Sequence, residues 1–466
     1  MSVPQLGLKA SADGWRGVIG DGFTVSGVSL LAACVVDRVG LTTGAPVVLV
    51  THDGRRAGAE AAQAAARAAL AAGARQVRLV PHLPTPTATA AVRRGDADIA
   101  LLVTASHNPA RWNGLKVKVA PGCPLPRDLE AEIDAHFQVR RLDVSSRDDF
   151  VAEPADALVD QHIEEVLARA GTPRPLAVTV DGLGGVAGEP VARLCERLGW
   201  TVTRVACTPD PDFGGIVPDP SVPASRERAA GHRTDLAIVL DGDGDRIYLL
   251  DHLGRTVQPS ELLALLLERR EKLGVPTAGV AVTTSTGTAV REVARRIGAP
   301  VHEVGVGFKH LSPLLATNSV DVAGGAVGDL SFTEFGLDRD PFAAIVLLAE
   351  LLSGTGSSLA ALLDDLRARV GGLCWFESKV DVEGADPRAA GLTALRTCGL
   401  DPIEITEVDG TKFWLPDGQW LLLRASTTEG GVRVYGELGD EHATRALVRS
   451  VEEQLTNGIN WGVVHD

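Results

Sequence analysis

The chain has 466 residues, of which 45% are hydrophobic, and its formal net charge is −15. This acidic balance argues against non-specific nucleic-acid binding, although a local basic site for an anionic substrate is compatible with it. The six cysteines form no CxxC pair, which argues against a disulfide framework or a zinc site. We find no signal-peptide pattern and no apolar run near the roughly 20 residues that span a bilayer. We therefore expect a cytoplasmic protein with no membrane partner.

Strand-like and helix-like runs alternate through most of the chain. The strand-like "APVVLV" (45–50) precedes an Ala-rich helical pattern, and further strands are predicted at "IALLV" (99–103), "LAVTV" (176–180) and "LAIVL" (236–240). Such β–α–β alternation predicts mixed, mostly parallel α/β domains. The C-terminal part differs, because alternating stretches such as "GVRVYGELG" predict an antiparallel α+β module.

At about 100–200 residues per domain, the length predicts three or four domains. The charged "RRLDVSSRDDF" (140–150) is predicted to be the first linker. The Gly/Ser-rich "LLSGTGSSLAA" (351–361) is either a second junction or the cap of a helix.

The loop "TASHNPARWNGLK" (104–116) leaves the predicted strand at 99–103. It is rich in turn-forming residues, and loops at the carboxyl ends of buried strands carry the chemistry of α/β proteins. Ser106 could be a nucleophile, but no G-x-S-x-G elbow surrounds it. A plain polar turn is the alternative.

The segment "LAIVLDGDGDR" (236–246) runs from a buried strand into three carboxylates. Asp241, Asp243 and Asp245 would repel one another, and the intervening glycines let the backbone curl so that they converge on a divalent cation. A calcium loop is excluded, because Arg246 takes the required glycine position and His252 that of the bidentate glutamate. Mg²⁺ bound together with a phosphate fits better, and a solvated acidic turn is the alternative.

Taken together, these segments resemble the α-D-phosphohexomutase superfamily, which includes phosphoglucomutases and phosphomannomutases. The serine loop is similar to the family's phosphoserine loop, and "DGDGDR" is identical to its metal loop. Two further segments follow the family's order along the chain: "ADGWRGVIGDGFT" (12–24) and "DGTKFWLPDGQWLLLRASTTEGGVRVYGE" (409–437).

This resemblance implies four domains around a central cleft, three related α/β units followed by an antiparallel α+β domain, at residues 1–150, 151–252, 253–366 and 367–466. It implies an intramolecular phosphotransferase that moves phosphate between O1 and O6 of a hexose phosphate. Phosphoserine donates to the sugar, a sugar 1,6-bisphosphate forms and turns around, and its other phosphate returns to the serine. The implied cofactor is Mg²⁺, the implied ligand is a phosphosugar, and a monomer or homodimer is expected.

Site residues follow from the matched motifs. Phospho-Ser106 is the donor and acceptor, and one of its oxygens joins Asp241, Asp243 and Asp245 around the metal. The remaining implied residues are Arg16 near the transferring phosphate, Lys116 or His107 for hydroxyl deprotonation, Arg246 on the metal loop or phosphoserine, Lys309 as a substrate-phosphate contact, and Arg424, Ser426, Thr428 and Arg433 as the distal phosphate site. Lys116 could equally be a phosphate clamp that never titrates, and Arg246 a structural ion pair.

One segment departs from the family. Its sugar-binding loop usually reads G-E-x-S-G, whereas Ala326, Val327 and Gly328 stand at the polar positions here. We expect Asp329, Ser331 or Glu334 to substitute for them. Glucose or mannose phosphate is the default substrate, and an unusual sugar, pentose or cyclitol phosphate is the alternative. A phosphosugar-binding protein with vestigial catalysis and a phosphatase are further alternatives.

Overall fold

The structure is a computed structural model, and it describes residues 7–11, 13–140, 150–382, 384–425 and 431–457. The predicted linker lies almost wholly at 141–149, outside the described residues. The chain forms two compact units. The first comprises residues 1–257, 307–323 and 327–360, and the second comprises residues 258–306, 324–326 and 361–466.

The first unit begins with a mixed sheet flanked by helices. Its elements are β1 (Lys9–Ala10), β2 (Trp15–Ile19), β3 (Gly22–Phe23), α1 (Val25–Thr43), β4 (Val47–His52), α2 (Gly58–Ala71), β5 (Gln76–Leu79), α3 (Thr85–Arg94), β6 (Ile99–Val103), β7 (Trp112–Val119), β8 (Cys123–Pro124), α4 (Arg127–Val139) and β9 (Val151–Ala152).

The strand order in this sheet is β1-β2-β7-β6-β4-β5-β9. Strands β9, β5, β4 and β6 are parallel, and β7 and β2 continue the sheet antiparallel. β6 is buried along its whole length, as its uninterrupted apolar run predicts. Leu31 and Val35 of α1 share one core with Val48 of β4 and with Leu101 and Val103 of β6, so this core holds the carboxyl end of β6 in place.

A second sheet follows in the same unit. Its segment contains α5 (Asp156–Leu167), β10 (Ala177–Asp181), α6 (Gly188–Arg197), β11 (Thr201–Val205), a 3₁₀ turn (Phe213–Gly215), α7 (Pro223–Ala230), β12 (Leu236–Leu240), β13 (Ile247–Asp251) and β14 (Thr256–Val257). The strand order is β11-β10-β12-β13-β14, parallel over β11, β10 and β12 and antiparallel beyond. β12 is fully buried, and the Asp-rich loop leaves its carboxyl end.

The next segment contains α8 (Pro259–Lys272), β15 (Val280–Thr283), α9 (Ala289–Arg296), β16 (Val301–Val304), α10 (Phe308–Ala316), β17 (Val322–Gly324), β18 (Leu330–Phe332), α11 (Pro341–Thr355) and α12 (Leu359–Val370). β15 and β16 pair in parallel in the second unit. The Asp340 side chain caps α11 by accepting the N–H groups of Phe342 and Ala343. The Gly/Ser-rich segment at 351–361 covers the end of α11, the start of α12 and residues 356–358 between them.

The C-terminal module is an antiparallel sheet with two helices, as predicted. It contains β19 (Cys374–Val380), α13 (Pro387–Thr397), β20 (Glu404–Thr406), β21 (Thr411–Trp414), a 3₁₀ turn (Pro416–Gly418), β22 (Trp420–Ala425), β23 (Val432–Leu438) and α14 (Glu441–Asn457). The order is β19-β23-β22-β21-β20, every pairing being antiparallel. The expected α/β class with a C-terminal α+β domain is confirmed, while the central cleft and the four boundaries stay predictions.

One expectation about membranes needs correction. Among the described residues, α1 is long and apolar enough to span a bilayer, contrary to the expectation that no run approaches this length. In the 18-residue apolar stretch of α1, 61% is buried inside the protein. The apolar side chains of α1 therefore pack in the core beside the first sheet.

Candidate active site

Ser106 lies three residues after the end of β6 with a left-handed backbone, φ being 53°. Its N–H donates to Thr104 Oγ1 at 2.8 Å, and that hydroxyl donates to Asp53 Oδ2 at 2.7 Å. The Ser106 hydroxyl donates to Asp241 Oδ2 at 2.7 Å. Two loops separated by more than a hundred residues of chain thus meet at this oxygen, because each leaves the carboxyl end of a buried strand.

The three aspartates of the second loop converge. Asp241, Asp243 and Asp245 are all buried, and one carboxylate oxygen from each lies within 4.8 Å of the others. Gly244 has φ +74°, and a Cβ there would lie 2.2 Å from Ala187 Cβ. The loop can therefore curl this tightly only with glycine at that position.

The oxygen atoms of this cluster suit a hard divalent cation. Asp241 Oδ1 accepts the N–H groups of Asp245 and Arg246 at 2.9 and 3.0 Å, which orients its other oxygen toward Ser106. Asp243 Oδ1 and Asp245 Oδ1 are buried without a hydrogen-bond partner in the described part of the chain. Burial, reinforced by the other two carboxylates, raises the pKa of Asp241 well above its ordinary value. These residues fit Mg²⁺, which takes oxygen ligands and would relieve the repulsion.

Lys116 of β7 is the main counter-charge of the cluster. Its Nζ lies 2.6 Å from Asp245 Oδ2, 2.7 Å from Asp243 Oδ2 and 3.4 Å from Asp13 Oδ2. Burial alone would lower the pKa of Lys116, but these carboxylates outweigh it and raise the pKa above its ordinary value. The side chain is therefore an ammonium that already neutralises one oxygen on each of two aspartates.

Further cations surround the serine. Arg16 of β2 donates from Nη1 to Asn108 Oδ1, and its Nε has no partner among the described residues. Arg246 Nε is also buried and unpartnered in that part of the chain. Burial, then Arg246 and Arg16, lower the pKa of His107 well below its ordinary value. The imidazole is thus neutral near pH 7 in a cationic pocket suited to an anion.

The departing loop is anchored on the metal loop's strand. The N–H of Ile247, the first residue of β13, donates to Gly328 O at 3.0 Å. Asp329 is buried, and its Oδ1 has no partner within the described residues. Burial raises the pKa of Asp329, opposed mainly by Arg339 and then Arg246. Asp329 therefore belongs to the charged cluster around the metal loop.

The other residues expected near the sugar have different surroundings. The Ser331 hydroxyl donates to Gly336 O at 3.5 Å, and Glu334 is half-buried. Lys309 Nζ donates to Ser11 O at 3.0 Å and lies 3.7 Å from Glu130 Oε2. Lys309 is thus held by the N-terminal segment of the first unit.

The described arginines of the predicted distal phosphate site lie together in the second unit. Arg424 of β22 stands directly opposite Arg433 of β23. Arg424 Nε donates to Asp409 Oδ2 at 2.7 Å, and Arg433 Nη1 donates to Glu377 Oε1 at 2.8 Å. The other two predicted members, Ser426 and Thr428, lie outside the described residues.

Comparison with protein families accounts for this arrangement. Models of phosphoglucomutase/phosphomannomutase α/β/α domains I, II and III match residues 7–142, 156–254 and 258–370. The chain belongs to the phosphoglucomutase/phosphomannomutase family. This membership confirms the resemblance to the α-D-phosphohexomutases and the prediction of an enzyme of the phosphomutase class.

Relatives within the family carry different names. The chain is 28% identical over 425 residues to a phosphoglucomutase/phosphomannomutase of Thermococcus kodakarensis, covering 88% of this chain and 91% of that one. It is also 28% identical over 464 residues to a phosphoglucosamine mutase of Rubrobacter xylanophilus, covering 97% and 98%. The family is therefore certain, and the sugar is not fixed by these names.

Solved structures of the family share the fold. A phosphoglucomutase/phosphomannomutase family protein from Burkholderia thailandensis superposes with a TM-score of 0.79 at 24% identity, covering 98% of each chain. An N-acetylphosphoglucosamine mutase from Aspergillus fumigatus, solved with GlcNAc-6P and magnesium, gives 0.61 at 16% identity, covering 96% of this chain and 95% of that one. At these identities the likeness concerns the fold.

Sequence reasoning missed a pair that holds the serine loop. The Arg55 guanidinium is completely buried and donates to Asp53 Oδ2 at 2.9 Å. It also donates to the carbonyl oxygens of Ser106, Asn108, Pro109 and Trp112. The available signal was the charged "HDGRR" at 52–56, which, like the serine loop, leaves a buried strand.

Four further charged residues at the cluster were also missed. Asp13 and Asp338 both face Lys118 Nζ, at 3.6 and 2.7 Å. Arg339 contacts Asp13 and lies 2.9 Å from Asp245 Oδ2. Asp13 was visible inside the quoted N-terminal motif, whereas the pairing of Arg339 with the metal loop had no local signal.

Proposed function

We propose that this phosphomutase moves a phosphoryl group between O1 and O6 of a hexose phosphate, with phospho-Ser106 as donor and acceptor. Glucose or mannose phosphate is the default substrate, and a sugar 1,6-bisphosphate is the intermediate and activator. The observation that carries the proposal is the 2.7 Å hydrogen bond from Ser106 to Asp241, beside two buried carboxylate oxygens without partners among the described residues.

The proposed ion ligands are Asp241, Asp243, Asp245 and an oxygen of phospho-Ser106. When bound, Mg²⁺ would neutralise charge on the transferring group. The remaining counter-charges belong to the chain. Lys116 holds Asp243 and Asp245 through their other oxygens, which leaves the unpartnered oxygens free for the ion.

In the proposed transfer, a sugar hydroxyl oxygen attacks the phosphorus of phospho-Ser106. The new O–P bond forms as the P–Oγ bond breaks, and the electron pair of the broken bond stays on Oγ. Arg16 and Arg246 would stabilise the equatorial oxygens as charge develops. Arg55 fixes the serine backbone through four carbonyl groups, so Oγ keeps its position during transfer.

The hydroxyl proton needs an acceptor near the serine. Of the two predicted residues, Lys116 is held as an ammonium by three carboxylates, which supports the role of a charge that does not titrate. The His107 ring has a buried Nδ1 with no partner in the described structure. We propose His107 as the proton acceptor.

The second phosphate of the substrate requires its own site. Arg424 and Arg433, opposite each other on adjacent strands, support a role as a fork for a phosphate dianion. Each is paired with a carboxylate in this structure, so a bound phosphate would compete with Asp409 and Glu377.

The loop that departs from the family pattern bears on which sugar the enzyme accepts. Ala326, Val327 and Gly328 offer no polar side chain to sugar hydroxyls. Asp329 is drawn into the charged cluster, which favours the second candidate, the same chemistry on an unusual sugar, pentose or cyclitol phosphate. The test is to replace Asp329 and Glu334 by Ala. Unchanged kinetics on the true substrate would show that neither residue binds the sugar.

The phosphoenzyme is tested with glucose 1,6-bisphosphate and intact-mass analysis. We expect one phosphate, located on Ser106, in the wild type and none in S106A. S378A is the matched control, because Ser378 also donates to a carboxylate, Glu452 Oε1 at 3.1 Å, and it should be phosphorylated like the wild type. A vestigial binding protein would take no phosphate, and a phosphatase would take it and release it to water.

Turnover on a panel of sugar 1-phosphates then identifies the substrate. The panel holds glucose, mannose, glucosamine, N-acetylglucosamine and pentose 1-phosphates. Highest kcat/KM on glucose or mannose 1-phosphate supports the default, and highest kcat/KM elsewhere supports the second candidate. Cytoplasmic location and a monomer or homodimer remain predictions.

A further inference from the structure

Arg339 links the segment after β18 to the metal loop. It precedes Asp340, which caps α11, and its side chain is only 5% exposed. Its Nη2 contacts Asp13 and lies 2.9 Å from Asp245 Oδ2, while its Nε lies 3.7 Å from Asp338 Oδ1. The guanidinium therefore bridges three carboxylates, one of which is a proposed metal ligand.

The two oxygens of Asp245 have opposite environments. Oδ2 receives both Lys116 Nζ at 2.6 Å and Arg339 Nη2 at 2.9 Å. Oδ1 is buried and has no hydrogen-bond partner among the described residues. Two cations on one oxygen restrict the rotation of the carboxylate and leave its other oxygen as the one without a partner.

The same contacts determine the net charge of the site in which a metal ion would bind. In their ionised, metal-binding forms Asp241, Asp243 and Asp245 carry three negative charges, and Lys116 and Arg339 supply two positive charges in direct contact with this group. Removing Arg339 would leave this group one unit more negative. In a buried site a full charge at such distances changes ion binding strongly.

Building on the proposed function, we propose that Arg339 is a positioning residue that orients Asp245 and weakens the binding of Mg²⁺ to the three aspartates. Arg339 thus competes with Mg²⁺ for the negative charge of Asp245. A moderate affinity leaves the ion able to adjust as charge moves between the serine and the sugar. If Arg339 only formed a structural ion pair, the opposite result would be expected. Its loss would then disorder the aspartate ligands and weaken the binding of Mg²⁺.

The test is Mg²⁺ titration by calorimetry of the whole chain without sugar. We expect R339M to bind Mg²⁺ about tenfold more tightly than the wild type, because a cation has been removed from Asp245. R339Q, which is neutral but retains amide donors, should show the same direction if R339M folds poorly. R339K keeps the charge and should stay near the wild-type affinity.

R78M is the matched control. Arg78 donates to both oxygens of Glu153 at 3.0 and 2.7 Å in the same unit, so its loss removes a similar ion pair from another place. It should leave the Mg²⁺ affinity unchanged. Unchanged or weaker binding in folded R339M or R339Q would overturn the proposal for Arg339.

A separate comparison keeps the two proposals distinguishable. If the wild type binds Mg²⁺ and D243N does not, the metal site of the proposed function stands whatever Arg339 does. If wild type and D243N titrate alike, the metal site itself fails.

Discussion

Replacing Arg55 by lysine tests how the serine is held in place. The guanidinium makes one hydrogen bond to Asp53 and four to backbone carbonyl groups of the serine loop. An ammonium has three donors in place of five, so R55K keeps the charge opposite Asp53 but loses at least two of these bonds.

The magnitude follows from those contacts. Two lost bonds from a charged donor cost roughly 1.5–3 kcal/mol each before relaxation, and we expect R55K to lose about 3 kcal/mol of unfolding free energy. R55M would cost more, about 3–5 kcal/mol, because it leaves the buried Asp53 carboxylate uncompensated. A shift of the serine by about 1 Å would slow phosphoryl transfer roughly a hundredfold.

Two measurements check this prediction for R55K. Hydrogen–deuterium exchange of the peptide covering 104–112 should accelerate, and single-turnover phosphorylation of Ser106 should slow about a hundredfold. R56K is the control, since Arg56 pairs with Asp212 at the exposed surface, where its side chain is 64% exposed. Wild-type exchange and rate in R55K, or equal effects in R56K, would refute the positioning role.

Three further predictions concern other parts of the chain. G244A should bind Mg²⁺ more than about tenfold more weakly in calorimetry, because its Cβ meets Ala187 at 2.2 Å on a left-handed backbone; wild-type affinity would show that the loop does not need this curl. Burial and then Arg291 lower the pKa of Lys412 to about 7, so the folded state binds fewer protons than the unfolded chain between about pH 7 and 10. Wild-type stability should therefore rise from pH 7 to 9 in urea unfolding, by at most about 1.4 kcal/mol per pH unit from this group, and an equal rise in K412M would contradict this. D386A removes the cap of α13 and should cost about 1 kcal/mol in the same assay, and no loss would show that the cap is unimportant.

The sequence was sufficient to predict secondary-structure elements that can be recognised from a short stretch of residues. The uninterrupted apolar runs of β6 and β12 are buried strands, and the polar residues that follow them lie at the carboxyl ends of these strands. The meeting of Ser106 with Asp241 was predictable through the family resemblance, because the two residues are far apart in the chain. The length of the apolar helix α1 was underestimated because Asp37 and Arg38 interrupt its run of apolar residues.

The rest depends on contacts between distant segments. Arg55 was not predicted as a site residue, because its hydrogen-bond acceptors are backbone carbonyl groups. Every residue has such a group, so the sequence gives no sign of these bonds. Arg339 follows a loop whose expected role was sugar binding, and its pairing with Asp245 arises only from the fold. Asp329 was expected to contact the sugar, and this stays a prediction; its carboxyl is buried, and the charges of Arg339 and Arg246 oppose the rise that burial causes in its pKa.

The central claim is that one hydroxyl carries the phosphoryl group, and a chase experiment tests it most directly. The enzyme is labelled with radioactive glucose 1,6-bisphosphate, freed of ligand and mixed with the unlabelled hexose phosphate substrate identified by the panel. We predict that label leaves Ser106 and appears in sugar phosphate at a rate no slower than kcat. Label that stays on the protein through many turnovers, or an S106A variant that turns over at the wild-type rate, would contradict the account.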